Sequence, residues 1–150
     1  MKPRVKKASS MTPDGGEMVL YQHDRDFSII VNGEDLMHSR RHESEFELAR
    51  LGCAHLVGRK SATRVLIGGL GMGYTLRQTL DMLGPEARVM VGELVPAVAQ
   101  WNRDFFGRLN DDSLADSGLN SRLVILSRLF QRRKIHLIPF YWMLITGPRR

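Results

Sequence analysis

The sequence predicts an α/β protein, with a small N-terminal antiparallel β meander followed by the first half of a parallel sheet with helical crossovers. Short apolar runs separated by turn residues fill the segment from Met18 to His38. A strand–helix–strand–helix–strand alternation then runs from Arg64 to Ile125, and a glycine-rich turn joins its first strand to its first helix. These three observations are typical of a domain whose parallel strands are connected by right-handed crossovers.

The meander contains two predicted strands, Met18–Gln22 and Phe27–Val31, and a third short strand near Leu36–His38. Asn32-Gly33 between the second and third strands is suited to the positive φ angles of a tight hairpin turn. Three short strands joined by tight turns indicate an antiparallel arrangement.

A helix is predicted next, from about Arg41 to Val57, because apolar residues recur at helical spacing and acidic residues crowd its start. We expect Cys53 to be a small buried residue on this helix. As the only cysteine, it excludes an internal disulfide and any zinc site built on several thiolates, and no metal site is predicted. The apolar positions of the helix are Phe46, Ala49, Cys53 and Leu56.

The parallel half begins with Arg64–Gly68, a β-branched and aliphatic run typical of a buried strand. A helix over Tyr74–Leu83, a strand over Val89–Gly92, a helix starting at Pro96 and a strand over Leu123–Ile125 follow. The predicted apolar faces of the two helices are Leu76, Leu80 and Leu83 on the first, and Val98, Trp101 and Phe105 on the second.

The chain accordingly divides into four predicted segments. Residues 1–17 form a flexible basic arm, and residues 18–60 form the meander and its helix. Residues 61–125 form a Rossmann-like half domain, and residues 126–150 form a basic and apolar tail.

The candidate ligand site begins at the glycine turn. Gly69, Gly71 and Gly73 directly follow the first parallel strand and open a helix. Glycine permits positive φ angles and close approach of a ligand to the backbone, and the helix N-terminus behind it offers free N–H groups. The alternative for these glycines is a tight turn without a ligand. The strand before the turn and the helix after it favour the binding site.

Glu93 is the second candidate residue, because it ends the next parallel strand 20 residues beyond Gly73. A carboxylate in this position can accept hydrogen bonds from both hydroxyl groups of an adenosine ribose. The alternative is a solvated carboxylate at the end of a strand.

The glycine spacing bears on the choice between NAD and S-adenosylmethionine. The dinucleotide fingerprint is Gly-x-Gly-x-x-Gly, whereas the third glycine here comes one residue earlier, and Tyr74 stands in the fingerprint position. The Gly-x-Gly-x-Gly form is similar to the first motif of class I S-adenosylmethionine-dependent methyltransferases. The expected small-molecule ligand is therefore an adenosyl compound, S-adenosylmethionine or decarboxylated S-adenosylmethionine.

The segment from Gly68 to Arg77 resembles the Gly-Gly-Gly-Asp-Gly-Gly-x-Leu-Arg segment of spermidine synthases, the polyamine aminopropyltransferases. Gly92-Glu93-Leu94-Val95-Pro96 is similar to their strand-end Glu-Leu/Ile-Asp segment. The resemblance, which runs from about Leu20 to Ile125, implies a small β-domain before a methyltransferase-like sheet. It also implies Glu93 as the ribose ligand and Leu94 as a neighbouring cofactor-binding residue.

Two features of that family are missing. Leu70 or Met72 stands where the family has an aspartate in the glycine loop. The family's Tyr-His-Glu stretch has only loose matches, at His42-Glu43 and Ser44-Glu45. The resemblance therefore supports the ligand site but no particular catalytic residue.

The formal net charge of +6 does not indicate a specific nucleic-acid partner, because it arises from the tail. No acidic residue follows Asp116, whereas the same stretch has seven of the 22 basic residues. The longest apolar run, Ile135 to Ile145, is shorter than the roughly 20 residues that cross a bilayer. We expect a cytoplasmic protein without a membrane partner and consider a homodimer.

The tail lacks the fourth strand, ending in an acidic residue, that a class I sheet should have. When the codons of Phe140 to Met143 are read two bases later, every choice of synonymous codons encodes Leu-Leu-Asp. The codons that follow permit Val-Asp-Asn-Gly-Pro, and the combined stretch resembles the family's catalytic fourth-strand motif. We therefore hypothesise a frameshift after about Ile125. The alternative is a natural tail that binds a partner.

Three functions follow from these expectations. The first is a spermidine synthase-like protein that binds an adenosyl ligand but is catalytically incomplete. The second is a small methyltransferase that works with a partner subunit. The third is a non-catalytic interaction module.

If the tail forms a strand, we expect it beside Arg64–Gly68, where an apolar run gains burial and backbone hydrogen bonds.

Limited proteolysis tests the frameshift hypothesis. An out-of-frame tail was not selected to pack, so trypsin should cut rapidly within residues 128–134, which contain Arg128, Arg132, Arg133 and Lys134. The expected product is a core that ends near Ile125, identified by mass spectrometry. A tail that resists trypsin, and whose removal unfolds the remaining chain, would show a natural structural element.

Overall fold

The computed structural model describes residues 3–59, 63–114, 121–125 and 142–146. The chain divides into two compact units, Met1–His42 and Glu43–Arg150. Most of the predicted tail, including the Arg- and Lys-rich stretch 128–134, lies outside the described residues.

The first unit is a four-stranded antiparallel sheet in the order β1-β2-β3-β4. Its strands are β1 (Val5–Met11), β2 (Glu17–His23), β3 (Asp26–Val31) and β4 (Glu34–His38). The predicted meander is confirmed as β2 to β4. Its turn has the predicted geometry, since Asn32 and Gly33 have φ angles of 50° and 85°.

Strand β1 differs from the flexible arm expected over residues 1–17. Val5–Met11 pairs with β2, with a register shift between Lys6 and Ala8, and Arg4 stacks on the Tyr21 ring at 4.1 Å. The strand is mostly exposed and shows no apolar alternation. The sequence pattern missed it because backbone hydrogen bonds to the neighbouring strand, rather than burial of its own side chains, hold an edge strand of this kind.

The second unit begins with helix α1 (Glu43–Cys53), which continues as a single 3₁₀ turn over Ala54–Leu56. The predicted helix thus exists with shorter bounds. Ala49, Cys53 and Leu56 are buried as expected, and Phe46 is half-buried with its ring edge-to-face on Tyr74. The apolar stripe therefore provides the buried face of the helix.

The second sheet has the order β7-β6-β5-β8. Strands β5 (Arg64–Gly68), β6 (Arg88–Glu93) and β7 (Ser121–Ile125) are parallel. Helix α2 (Tyr74–Leu83) connects β5 to β6, and helix α3 (Pro96–Trp101) follows β6. The unit therefore has the α/β architecture predicted for half of a Rossmann-like domain, and the C-terminal ends of β5 and β6 lie side by side at Gly68 and Gly92.

Strand β8 (Trp142–Thr146) lies on the other side of β5 and is antiparallel to it. Trp142 pairs with Gly68 and Thr146 pairs with Arg64. The position beside β5 is the one expected for a strand in the tail. Because of its direction, β8 begins, rather than ends, at the edge of the sheet where β5 and β6 end.

The helix after β6 contains a wide π turn over Asn102–Phe106 before the short helix α4 (Gly107–Asn110). This turn corrects one sequence prediction, since Phe106 is fully buried and the predicted Phe105 is only half-buried. A π turn adds a residue to the α-helical repeat, so the residues beyond it are rotated relative to the predicted apolar stripe. Val98 and Trp101, which precede the turn, are buried as predicted.

Cys53 provides a test of the packing of α1 in the second unit. It is fully buried, and burial raises the pKa of its thiol. The thiolate is the reactive form, so the native chain should react with a thiol reagent far more slowly than the unfolded chain at about pH 8.5, near the pKa of an exposed cysteine. Rapid stoichiometric reaction of the native chain, followed by absorbance, would show that α1 is not packed in this way.

Candidate functional site

The glycine loop between β5 and α2 has the backbone conformation that its sequence predicts. Gly69, Gly71 and Gly73 have φ angles of 92°, 53° and 84°, all in the region that favours glycine. The Gly69 N–H donates to the Gly92 carbonyl at 2.7 Å, and the Gly73 N–H donates to the Leu70 carbonyl at 2.9 Å. The first bond connects the loop to the end of β6, and the second closes a turn within the loop. Gly73 is also the N-cap of α2.

Glu93, at the end of β6, lies against the same loop. Its side chain is buried, and Oε2 accepts a hydrogen bond from the Leu70 N–H at 2.8 Å. Oε1 accepts hydrogen bonds from the N–H groups of Leu94 and Val95, both at 2.8 Å. The Glu93 carboxylate therefore links the glycine loop to the first residues of the turn between β6 and α3.

These bonds define what Glu93 can offer to a ligand. A carboxylate has about four lone-pair positions, and three N–H groups already occupy positions on the two oxygens. Oε2, which has one backbone partner, retains acceptor capacity for a hydroxyl group. Leu94, the other residue predicted after β6, uses its N–H on Glu93. The two predicted elements, the glycine loop and Glu93, are thus brought together by a direct contact.

Two buried asparagines bind the loop beyond Leu70, and the sequence patterns did not predict either of them. Asn102 Nδ2 donates to the Gly71 carbonyl at 2.7 Å and to the Val98 carbonyl at 2.9 Å. Asn110 Nδ2 donates to the Met72 carbonyl at 2.9 Å and to Asn102 Oδ1 at 2.8 Å. The pattern that could have revealed them is the presence of asparagine, a poor helix former, within and at the end of a predicted helix.

The two non-glycine residues inside the loop are apolar and buried. Leu70 is 3% exposed and Met72 is fully buried. The loop therefore presents backbone groups and no side-chain carboxylate. Glu93 is the carboxylate that contacts the loop among the described residues.

Several other acidic residues of the second unit lie in turns or in the first turn of a helix. Asp111 and Asp112 are exposed turn residues with φ angles of 55° and 52°, and Asp111 forms an ion pair with Arg77 at 3.0 Å. Asp116 lies outside the described residues. Glu43 and Glu45 are in the first turn of α1, where the Glu45 carbonyl accepts a hydrogen bond from Thr75 Oγ1 at 3.3 Å.

Within the described ranges, no group of three or more His, Cys, Asp or Glu side chains is arranged to hold a metal ion. None of the helices in that part of the chain is long and apolar enough to cross a membrane.

Gly73 provides a test of the loop's packing against the asparagines. A Cβ atom at this residue would overlap with Asn110 Nδ2 and would lie 3.0 Å from Asn102 Oδ1. Gly73→Ala should therefore lower the free energy of unfolding by clearly more than the roughly 1–2 kcal/mol that a left-handed alanine costs by itself. Denaturant unfolding measures this difference.

Gly58→Ala is the matched control, because Gly58 also has a positive φ, of 75°, in a turn of the same unit, and no atom lies within 4 Å of the position that its Cβ would occupy. Equal destabilisation by the two substitutions would contradict the close contact between the loop and the asparagines.

No protein-family model matches the chain, and no curated protein sequence is significantly similar to it. Solved structures are similar to it. A spermidine synthase in complex with the transition-state analogue AdoDATO aligns with a TM-score of 0.55 at 18% identity, covering 80% of this chain and 40% of that one. The chain thus spans well under half of that enzyme's length.

A probable spermidine synthase from Corynebacterium glutamicum ATCC 13032 aligns with a TM-score of 0.48 at 14% identity, covering 83% of this chain and 45% of that one. Fibrillarin from Aeropyrum pernix, with natively bound S-adenosyl-L-methionine, aligns with a TM-score of 0.33 at 18% identity, covering 86% and 62% of the two chains. The resemblance inferred from the glycine loop and the Glu93 segment is confirmed by the first of these alignments at the level of the fold: the chain has the fold of the corresponding part of spermidine synthase.

Proposed function

We propose that this chain binds an adenosyl compound, S-adenosylmethionine or a decarboxylated or methylthioadenosine relative, at the glycine loop and Glu93. The observation that carries the proposal is the 2.8 Å contact between Glu93 Oε2 and the Leu70 N–H. This contact places a buried carboxylate directly beside a loop of three glycines with positive φ. Such a loop allows a ligand to approach the backbone, and the carboxylate supplies a hydrogen-bond acceptor at its edge.

The adenosine ribose is the part of the ligand that Glu93 would bind. Oε2 has a free acceptor position, so one ribose hydroxyl can donate to it without displacing the Leu70 N–H. Oε1 already accepts two backbone bonds, which keep the carboxylate oriented before the ligand arrives. The spermidine synthase of the same fold was solved with AdoDATO, which supports a ligand of this chemical class.

We further propose that the chain does not complete a group-transfer reaction by itself. Deprotonation of an acceptor amine needs a general base, such as a carboxylate, within hydrogen-bond reach of the nitrogen. Leu70 or Met72 stands where the resembling family has an aspartate, and residues 117–150 contain no acidic residue. Glu93 accepts three backbone N–H groups, and its remaining acceptor position is the one proposed for the ribose. The proposed activity is therefore ligand binding without efficient transfer.

Calorimetry tests the ligand. S-adenosylmethionine, its decarboxylated form or 5′-methylthioadenosine should bind more tightly than NAD. Glu93→Gln should weaken this binding by about 1–3 kcal/mol, because it places an amide NH₂ donor near backbone N–H donors and removes a carboxylate oxygen that could accept the ribose hydroxyl.

Glu86→Gln is the matched control, since Glu86 is an exposed carboxylate in the turn before β6. Thermal unfolding of each variant shows whether it remains folded at the titration temperature. NAD binding that equals or exceeds that of the adenosyl compounds would overturn the ligand assignment. Unchanged affinity in folded Glu93→Gln would overturn the role of Glu93.

A turnover assay tests catalytic incompleteness. The purified chain, incubated with decarboxylated S-adenosylmethionine and putrescine, or with S-adenosylmethionine and a panel of amines, should form no product above the uncatalysed background. A complete spermidine synthase in the same assay is the positive control. Turnover at an enzyme-like rate, on the order of 1 s⁻¹ or faster, would show that a general base has been overlooked.

A further inference from the structure

Asn102 and Asn110 form a connected pair of buried side chains, with exposures of 3% and 2%. Neither residue belongs to the predicted ligand site. Their contacts with the glycine loop are all made through side-chain Nδ2 groups to backbone carbonyls, those of Gly71 and Met72. The two side chains also bond to each other, so neither can rotate without breaking the other's bond.

Several interactions fix the pair itself. Asn102 lies at the start of the π turn, where its second Nδ2 bond goes to the Val98 carbonyl, which also accepts the Asn102 backbone N–H. Asn110 Oδ1 accepts the Ser113 N–H at 3.2 Å, and Ser113 Oγ donates to the Asn110 carbonyl. These bonds to the helix and to Ser113 fix both asparagine side chains independently of the loop, so the asparagines restrain the loop.

The direction of these bonds determines where the loop's N–H groups point. In a trans peptide the C=O and N–H groups point in opposite directions. The carbonyl of Met72 faces Asn110, and the N–H on the same peptide plane, that of Gly73, accordingly points away and donates to the Leu70 carbonyl. By the same geometry, the carbonyl of Gly71 faces Asn102, and the N–H of Met72 points away from the asparagine pair.

We infer that Asn102 and Asn110 are positioning residues for the adenosyl ligand: they hold the two peptide planes of the glycine loop so that the Met72 N–H faces the ligand before binding. This inference rests on the proposed function of the loop. Its physical consequence is preorganisation, because a flexible glycine loop that is already ordered loses less conformational entropy when the ligand binds. Glu93 restrains one end of the loop through Leu70, and the asparagine pair restrains the other.

The test combines affinity with a ligand-free measurement. Asn102→Ala and Asn110→Ala should each raise the dissociation constant for 5′-methylthioadenosine by about tenfold or more, since each leaves a buried loop carbonyl without its donor. Gln100→Ala removes an exposed side-chain bond on the same helix, to Asp104, and should change the constant less than about twofold. Leu56→Ala, a core truncation outside the loop's hydrogen bonds, controls for general destabilisation.

Amide spectra of the ligand-free chain separate positioning from a merely structural role. The ¹H–¹⁵N peaks of Met72 and Gly73 should shift in the asparagine variants, whereas the Leu70 peak, held by Glu93, should stay in place. Leu56→Ala should leave all three peaks unchanged. Unshifted Met72 and Gly73 peaks, or unchanged affinity in folded asparagine variants, would overturn the inference.

Failure of the inference differs from failure of the proposed function. If the wild-type chain binds and the variants bind equally well, the positioning role alone is wrong. If the wild-type chain binds none of the adenosyl compounds, the proposed function fails and the inference fails with it. If the alanine variants do not fold, the hydrogen-exchange rate of the Gly73 amide in the ligand-free wild type tests the inference instead. Slow exchange supports it, and fast exchange overturns it.

Discussion

The contact on which this site depends is the hydrogen bonding of the Glu93 carboxylate to three backbone N–H groups. One N–H belongs to Leu70 in the glycine loop, and the others belong to Leu94 and Val95 after β6. A buried carboxylate without such partners would be costly, so the loop and the turn must keep the positions that supply them. The parallel pairing of β5 with β6 makes this possible, because it brings Gly68 and Gly92 to the same edge of the sheet.

The loop is restrained from both sides, and each restraint requires a particular residue type. Gly73 combines a φ angle of 84° with a Cα position that leaves no room for a Cβ beside Asn110. Asn102 and Asn110 provide amide donors, which a carboxylate or an apolar side chain of similar size could not provide. The π turn begins at Asn102. These features make the loop's backbone, rather than its buried Leu70 and Met72 side chains, the surface available to a ligand.

Much of this arrangement could be predicted from the sequence, because periodicity and turn chemistry are local properties. The Asn32-Gly33 turn, the buried Cys53 and the parallel strands follow from residue patterns that the structure confirms. Strand β1 could not be predicted in this way, since its pairing partner rather than its own pattern makes it a strand. The burial of Phe106 in place of Phe105 depends on a π turn that shifts the helical phase. The sequence spacing between the glycine turn and Glu93 predicted that Glu93 lies at the loop. Its three backbone partners and the asparagine pair could not be predicted, because they depend on side-chain geometry.

A crystal structure of the chain with 5′-methylthioadenosine tests the role of Glu93 most directly. We expect a ribose hydroxyl at hydrogen-bond distance from Glu93 Oε2, about 2.5–3.0 Å, while the Leu70 N–H keeps its bond to the same oxygen. We also expect the φ angles of Gly69, Gly71 and Gly73 to remain positive, near 92°, 53° and 84°. A ligand bound away from Glu93, or a glycine loop that rebuilds its backbone to admit it, would contradict the account.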